Sequence, residues 1–265
     1  MIKRYLYPPL KILKYLYLNK RKRTKIDNNF EINDEQKFIV NQLRKNGYHI
    51  IQNFLNENDC KKIINEIDET IKIHSSKIWR DKKNSDNRIF GAEKISKNIL
   101  SYFKNDFIKK IGENYCGFKL KNVMTMANKV IFSLENSGSG DGWHKDAYCR
   151  QFKSMIYLND VKDTNGPFQL VKNSNSFFNA IKTSINLNKT YPNTRFTNED
   201  VEKISQSKNL QTLTGKAGTL IFFDPSLIHR GAPLLSSERY AITNYYDSEH
   251  NYYNSIEKIP PECRF

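Results

Sequence analysis

The sequence predicts a mainly β protein, an antiparallel sandwich or barrel with helices packed on its outside. Three observations carry this. Helical signals crowd into the chain before about Tyr115, and short apolar runs punctuated by turn residues follow it. The length, 265 residues, suits one large domain and is too short for three. No internal repeat or second domain shows, so residues 31–265 read as a single domain behind a basic arm, residues 1–30. A hydrophobic fraction of 38% with 12% aromatics marks a folded chain and excludes a disordered one.

The arm opens MIKRYLYPPLKILKYLYLNKRKRTK, with nine Lys or Arg and no acid before Asp27. Leu10, Leu13, Leu16 and Tyr17 lie near helical spacing after Pro8-Pro9. Residues 1–25 thus allow a short basic amphipathic helix lying on the inner membrane surface, each basic residue contributing about 1 kcal/mol near an anionic leaflet. A solvated tail, or a first helix packed on the domain, accounts for the same residues. No apolar run approaches the roughly 18 residues that span a bilayer, and the h-region of a signal peptide is missing. The wealth of Lys, Asn and Ile reads as low-GC codon bias, which discounts part of the +15 net charge. Cys60, Cys116, Cys149 and Cys263 show no C-x-x-C spacing, so no zinc site or disulfide framework is indicated. Reduced thiols in the cytoplasm are expected.

Along the domain, Asp34 is placed to cap a helix through Phe38, Ile39 and Leu43 that ends near Gly47. GYHIIQNFL then reads as a strand. Asn58 or Asp59 caps a second helix whose Ile63, Ile64, Ile67 and Ile71 form one apolar stripe facing the core. Ser75 to Gly91 is a polar irregular segment containing Arg80 and Arg88, either a substrate-facing or a solvated loop. A third helix is expected from Ser96 to about Tyr115. MTMANKVIFSL reads as a strand and NSGSGDG as a glycine-rich loop. MIYLNDV and NGPFQLV give strands on either side of a turn, and a polar insertion or lid spans about 172–209. The last strands come from LQTLTGKAGTLIFFDPSLIHRGAPL and RYAITNYYD.

Chemistry concentrates at GWHKDAYCRQFKSMIYLNDV. In a strand, residues two apart share a face, so His144 and Asp146 would present an imidazole and a carboxylate side by side. GTLIFFDPSLIHRGAP places His229 just past a β-rich run, far along the chain. Together these have the composition of the 2-His-1-carboxylate facial triad, which holds Fe(II) by one face and leaves positions open for co-substrate and dioxygen. Arg239 follows across GAPLLSSE. If its strand pairs back against the His229 strand, the guanidinium returns to the same cavity, where its two-pronged donor matches the far carboxylate of a dicarboxylic 2-oxoacid. A surface ion pair with Glu238 or Asp247 would be the reading of an isolated arginine, but beside H-x-D and a distal histidine at this interval the oxoacid role is favoured.

The residues from about Glu35 to Tyr246 resemble the phytanoyl-CoA dioxygenase family of Fe(II)- and 2-oxoglutarate-dependent oxygenases. The likeness rests on GYHIIQNFLNENDC, GWHKD, QFKSMIYLNDV, NGPFQLVKNS, GTLIFFDPSLIHRGAP and RYAITNYY. It implies a double-stranded β-helix (jelly-roll, cupin-like) core, His144, Asp146 and His229 as iron ligands, and Arg239 on the 2-oxoglutarate C5 carboxylate. Asn128 or Lys129 is nominated as a second 2-oxoglutarate support. Gly231 leaves no hydroxyl two residues after His229, and Thr219 or Thr243 is nominated in its place. Asn175 stands where the family often has a histidine. The likeness is closer to bacterial members that act on small polar or glycan-like substrates than to the acyl-CoA enzyme.

The expected activity is hydroxylation of an unactivated C–H bond, with dioxygen and 2-oxoglutarate consumed and the protein positioning substrate and excluding water. Asp146 speaks against halogenation, which needs that coordination position vacated. Basic residues, Arg88 and Arg150 among them, favour an anionic substrate: a sugar acid, a nucleotide-linked sugar or a glycolipid headgroup. His49, His74 and His250 read as surface or packing residues, and Trp143 as packing behind His144. A nucleic-acid demethylase of the same superfamily is the rival prompted by the positive charge, but it calls for a second arginine soon after Arg239, and none occurs before Arg264. A non-catalytic β-sandwich binding protein is the other alternative. Substrate identity and oligomeric state are not legible.

Overall fold

The computed structural model describes residues 31–134, 136–189, 193–205, 209–248 and 259–265. The basic arm and His250 lie outside them. Helix α1 (Asp34–Asn46) is capped by Asn33, one residue earlier than expected. Asn33 Oδ1 accepts from the Gln36 backbone at 2.8 Å and the Gln36 side chain accepts from the Asn33 backbone at 3.1 Å, so two end donors are satisfied reciprocally. Strand β1 (Tyr48–Ile51) follows. Helix α2 (Glu57–Ile73) begins at Asn56 for the same reason, before Asn58 and Asp59.

The stretch expected to be an irregular loop contains a hairpin, β2 (Trp79–Arg80) and β3 (Asp86–Phe90). The single helix expected from Ser96 is two, α3 (Lys97–Phe103) and α4 (Asp106–Cys116). Asn105 divides them: its side chain accepts from Ile108 N–H at 3.0 Å and starts a new helix. Strands β4 (Leu120–Ile131), β5 (Lys153–Tyr157) and β6 (Phe168–Val171) come next. The polar insertion carries two helices, α5 (Phe177–Asn186) and α6 (Asn198–Ile204). Strands β7 (Leu210–Leu213), β8 (Leu220–Phe223), β9 (Ile228–Gly231) and β10 (Glu238–Ser248) complete the order.

The strands make two antiparallel sheets, β1-β8-β5-β10-β4-β3-β2 and β7-β6-β9. After β7 the chain alternates between them, β8 in the large sheet, β9 in the small and β10 in the large, which is the winding of a jelly roll. Side-chain alternation then sorts the residues. Leu220 and Phe222 of β8, with Tyr240 and Ile242 of β10, face the helices and meet Ile39, Ile63, Ile67 and Ile111. Ile221, Phe223 and Ala241 face the other sheet. Each fully buried isoleucine of the helical layer contributes roughly 1.5–3 kcal/mol. Between the sheets, Tyr157, Leu170, Leu213 and Ile221 pack together, and beside them lies a cavity of about 430 Å³.

Residues 259–265 return to the cavity. Arg264 forms a parallel bridge to Phe90 and the Phe265 N–H donates to Phe90 O at 3.0 Å. Ile259 thereby lines the cavity and packs with Phe90, Met124 and Met126.

The turn into β8 tests the packing of β1 against it. Gly218 has φ +85°, and a Cβ there would fall 1.8 Å from Leu55 O, whereas Gly142 has φ +79° and nothing within 4 Å. Gly142→Ala should therefore cost only the left-handed strain, about 1–2 kcal/mol. Gly218→Ala should cost clearly more, because backbone must also move. Equal losses in urea unfolding would contradict the close approach.

Candidate metal and oxoacid site

Two segments build the centre. The residue pair His144 and His229 exchanges both backbone hydrogen bonds, His144 N–H to His229 O at 2.9 Å and His229 N–H to His144 O at 2.8 Å. His144 belongs to no named strand; this bridge alone joins it to the sheet. Its ring lies 4.3 Å from the His229 ring, centroid to centroid. Two residues on, the Asp146 N–H donates to Pro225 O at 3.0 Å, and Asp146 Oδ1 stands 3.5 Å from His144 Nε2 and 3.9 Å from His229 Nε2. One donor atom from each residue lies within 4.8 Å of the other two.

The imidazoles are oriented from behind. His144 Nδ1 lies 2.9 Å from Gly142 O and His229 Nδ1 lies 2.9 Å from Leu227 O. A carbonyl accepts only, so each Nδ1 carries the proton and each Nε2 keeps a lone pair toward Asp146. Burial, then the neighbouring His144, pushes the His229 pKa down to about 3. Burial also lowers that of His144. Burial acts to raise the Asp146 pKa, but Lys153 and the two histidines outweigh it and hold the carboxyl well below its ordinary range. Two neutral imidazoles and one carboxylate at neutral pH are a donor set suited to Fe(II).

Arg239 reaches the same cavity from β10, where it is 3% exposed. Its Nη1 donates to Gly166 O, and its Nε is buried with no hydrogen-bond partner among the described residues. Gly231, two residues after His229 on β9, makes the room: a Cβ there would lie 2.9 Å from Arg239 Nη1 and 2.9 Å from Ser139 Cβ. A buried guanidinium with an unmet N–H beside the three donors fits an anionic partner, and a two-ended oxoacid supplies one. Among the described residues it makes no surface ion pair; Glu238 pairs instead with Lys129, at 3.5 Å.

The other nominated residues divide. Asn128 and Thr243 line the cavity. Lys129 is on the opposite face of β4, 2.9 Å from Asp68. Thr219 is not among the cavity's lining: it precedes β8 and its hydroxyl donates to Gln52 Oε1 at 2.9 Å. Arg88 lines the cavity, paired at 2.5 Å with buried Asp86 and stacked 4.6 Å from the Trp79 ring. Arg150 does not; it is exposed and leans on Tyr115. Asn175 donates to Asp224 at 3.0 Å. Trp143 packs with Val171, Phe196 and Ile228. Sequence reading missed Lys153, Lys145 and Arg195, which also line the cavity. Lys153 carried a signal, a lysine on the inward parity of an apolar strand. Arg195 carried none, since only the folded insertion brings it to His144.

The fold is shared with solved enzymes of low identity. The epimerase SnoN, in complex with Fe3+, alpha ketoglutarate and nogalamycin RO, superposes with a TM-score of 0.59 at 15% identity, over 81% of this chain and 84% of its own. HygX from Streptomyces hygroscopicus, with nickel and 2-oxoglutarate bound, gives 0.57 at 13%, over 83% and 88%. EctD from S. alaskensis gives 0.64 at 15%, over 87% and 82%. In sequence, the phytanoyl-CoA dioxygenase (PhyH) family matches residues 43–241. No curated protein matches the chain.

The buried rings predict a pH effect on the metal-free protein. The pKa of His229 lies near 3 in the fold against an ordinary 6.5, so its contribution to stability is whole above pH 6.5 and is lost progressively as pH falls from there toward 3. Urea unfolding in chelator should weaken from pH 7 to pH 5 with up to about 1.4 kcal/mol per pH unit from this ring. His229→Gln should flatten the slope, and an unchanged slope would contradict the neutral buried imidazole.

Proposed function

The chain belongs to the phytanoyl-CoA dioxygenase family and is an Fe(II)- and 2-oxoglutarate-dependent oxygenase; we propose that it hydroxylates an unactivated C–H bond of a small anionic substrate. The observation that carries the reading is one cavity shared by His144, Asp146, His229 and Arg239. In this reading the two histidines and Asp146 hold the iron, and Arg239 holds the C5 carboxylate of 2-oxoglutarate. Iron, 2-oxoglutarate and dioxygen together supply the oxidising power for an inert C–H bond, with succinate and carbon dioxide as co-products.

The protein's own part is positional. The carbonyls of Gly142 and Leu227 hold both imidazoles in the tautomer that offers Nε2. Burial of Arg239 makes its attraction for a carboxylate strong, because little water competes. Asn128 and Thr243, inward on adjacent strands, are placed to hydrogen-bond the oxoacid. Phe168 and Phe223 pack around His229 and keep water from that side of the centre.

An anionic substrate is favoured by the lining itself. Arg88, Lys153, Arg195 and Arg239 face the cavity, and among the described residues that line it few are acids. Asp86 offsets Arg88 and Asp146 offsets Lys153, which leaves positive charge beyond what the oxoacid neutralises. Sugar acids, nucleotide-linked sugars and glycolipid headgroups fit this charge and the polar rim at Thr194 and Arg195. A glycolipid headgroup would also give the basic stretch 1–25 a surface to rest on. Among the described residues no helix is long and apolar enough to cross a membrane.

Anaerobic reconstitution with Fe(II), then succinate release screened over those three classes, tests the reading. His144→Ala should abolish release. Arg239→Ala should raise the 2-oxoglutarate requirement about 30-fold or more, the loss expected when one partner of a buried charge pair, worth roughly 2 kcal/mol or more, is truncated. An unchanged requirement would remove Arg239 from the oxoacid. Stimulation by neutral substrates alone would remove the anionic class.

A further inference from the structure

We infer that Lys153 decides how Asp146 binds the metal: by occupying Oδ2 it confines the carboxylate to a single ligating oxygen. The inference rests on the reading that His144, Asp146 and His229 hold iron. Asp146 has two oxygens with different neighbours. Oδ1 faces His144 Nε2 at 3.5 Å and His229 Nε2 at 3.9 Å, and Oδ2 takes the Lys153 ammonium at 2.5 Å. The ammonium is held from its other side too, 3.7 Å from the centroid of the Tyr245 ring. Its strand fixes where it comes from. Lys153 is the first residue of β5, sharing the inward face with Met155 while Ser154 points the other way, and its side chain is 11% exposed.

The count of ligands gives this contact its meaning. An octahedral ion has six positions. One oxygen from Asp146 and two imidazole nitrogens would fill three, and a chelating keto acid two more, which would leave one open. Were Asp146 to bind through both oxygens, the protein and the keto acid together would fill all six. A buried carboxylate with a free second oxygen beside a divalent ion has every electrostatic reason to use it. Lys153 removes that option by giving Oδ2 a charged partner of its own, and Tyr245 keeps the ammonium from leaving. Lys153 is therefore a positioning residue; it acts on the chemistry through Asp146.

Lys153→Met keeps the length and removes the charge and the donors; Lys153→Arg keeps both. The probe is Co(II) with 2-oxoglutarate on the whole chain, anaerobically, because visible Co(II) absorption reports coordination number. Lys153→Met should alter the spectrum of the Co(II)–2-oxoglutarate complex and tighten Co(II) binding about 3- to 10-fold, because a second carboxylate oxygen becomes available and a nearby positive charge is removed. Lys153→Arg should restore both. With saturating Fe(II), Lys153→Met should release succinate at least tenfold more slowly, its KM for 2-oxoglutarate staying within about twofold. A Lys153→Met protein that matches wild type in spectrum and affinity overturns the inference. If that variant does not fold, Tyr245→Leu carries the test, with a smaller shift in the same direction expected and no shift overturning it. Wild-type protein that binds no Co(II) overturns the triad assignment itself, which separates the two failures.

Discussion

Two short backbone hydrogen bonds between His144 and His229 carry the architecture of the centre. They are the narrow pair of an antiparallel bridge, so the side chains of the two residues stand next to each other on one face. Everything else about the ligand set follows from that adjacency. Asp146, two residues on, arrives beside both rings. The carbonyls at Gly142 and Leu227, each two residues before its histidine, set both tautomers by the same local geometry. Near-symmetric local geometry in two distant segments gives a centre with little freedom to rearrange.

The jelly roll supplies the second requirement, a wall with two faces. One parity of β5, β8 and β10 is mostly apolar toward the helices, and the other parity, with that of β4, carries Asn128, Lys153, Phe223 and Arg239 toward the cavity. The helical layer can therefore be packed for stability without regard to chemistry. The cost falls on the inner face, where charged groups are buried; each has a partner or an intended one. Asp224 shows how such charges are tamed behind the site: fully buried, it accepts from Tyr115, Asn175, Gln151 and Ser226.

What was readable in the chain divides along the same line. Apolar stripes, H-x-D, the distal histidine and the arginine beyond it are local patterns, and the structure brings His144, Asp146, His229 and Arg239 together. His144 and Asp146 nevertheless stand outside any strand, held by backbone hydrogen bonds to His229 and Pro225. Cap positions slipped by one to three residues, because neighbouring Asn and Asp side chains compete for the same end donors and only packing chooses among them. Thr219 was nominated by its residue type, yet Gln52, remote in sequence, takes its hydroxyl. Arg150 sits near the motif but on the outside, since the chain turns between Asp146 and Phe152. Arg195 arrives through the insertion, whose path the pattern of the sequence does not encode.

Ile259 stands apart from all of these. It follows the last jelly-roll strand, beyond the residues 43–241 that match the family, yet it forms cavity wall with Phe90, Met124 and Met126. The partition is modular: the part that matches the family carries the residues proposed to hold iron and oxoacid, and the stretch after it contributes cavity wall. Selection, or an engineer, can then recut the shape of the chamber by editing a few residues after the scaffold ends, leaving the oxidising apparatus untouched.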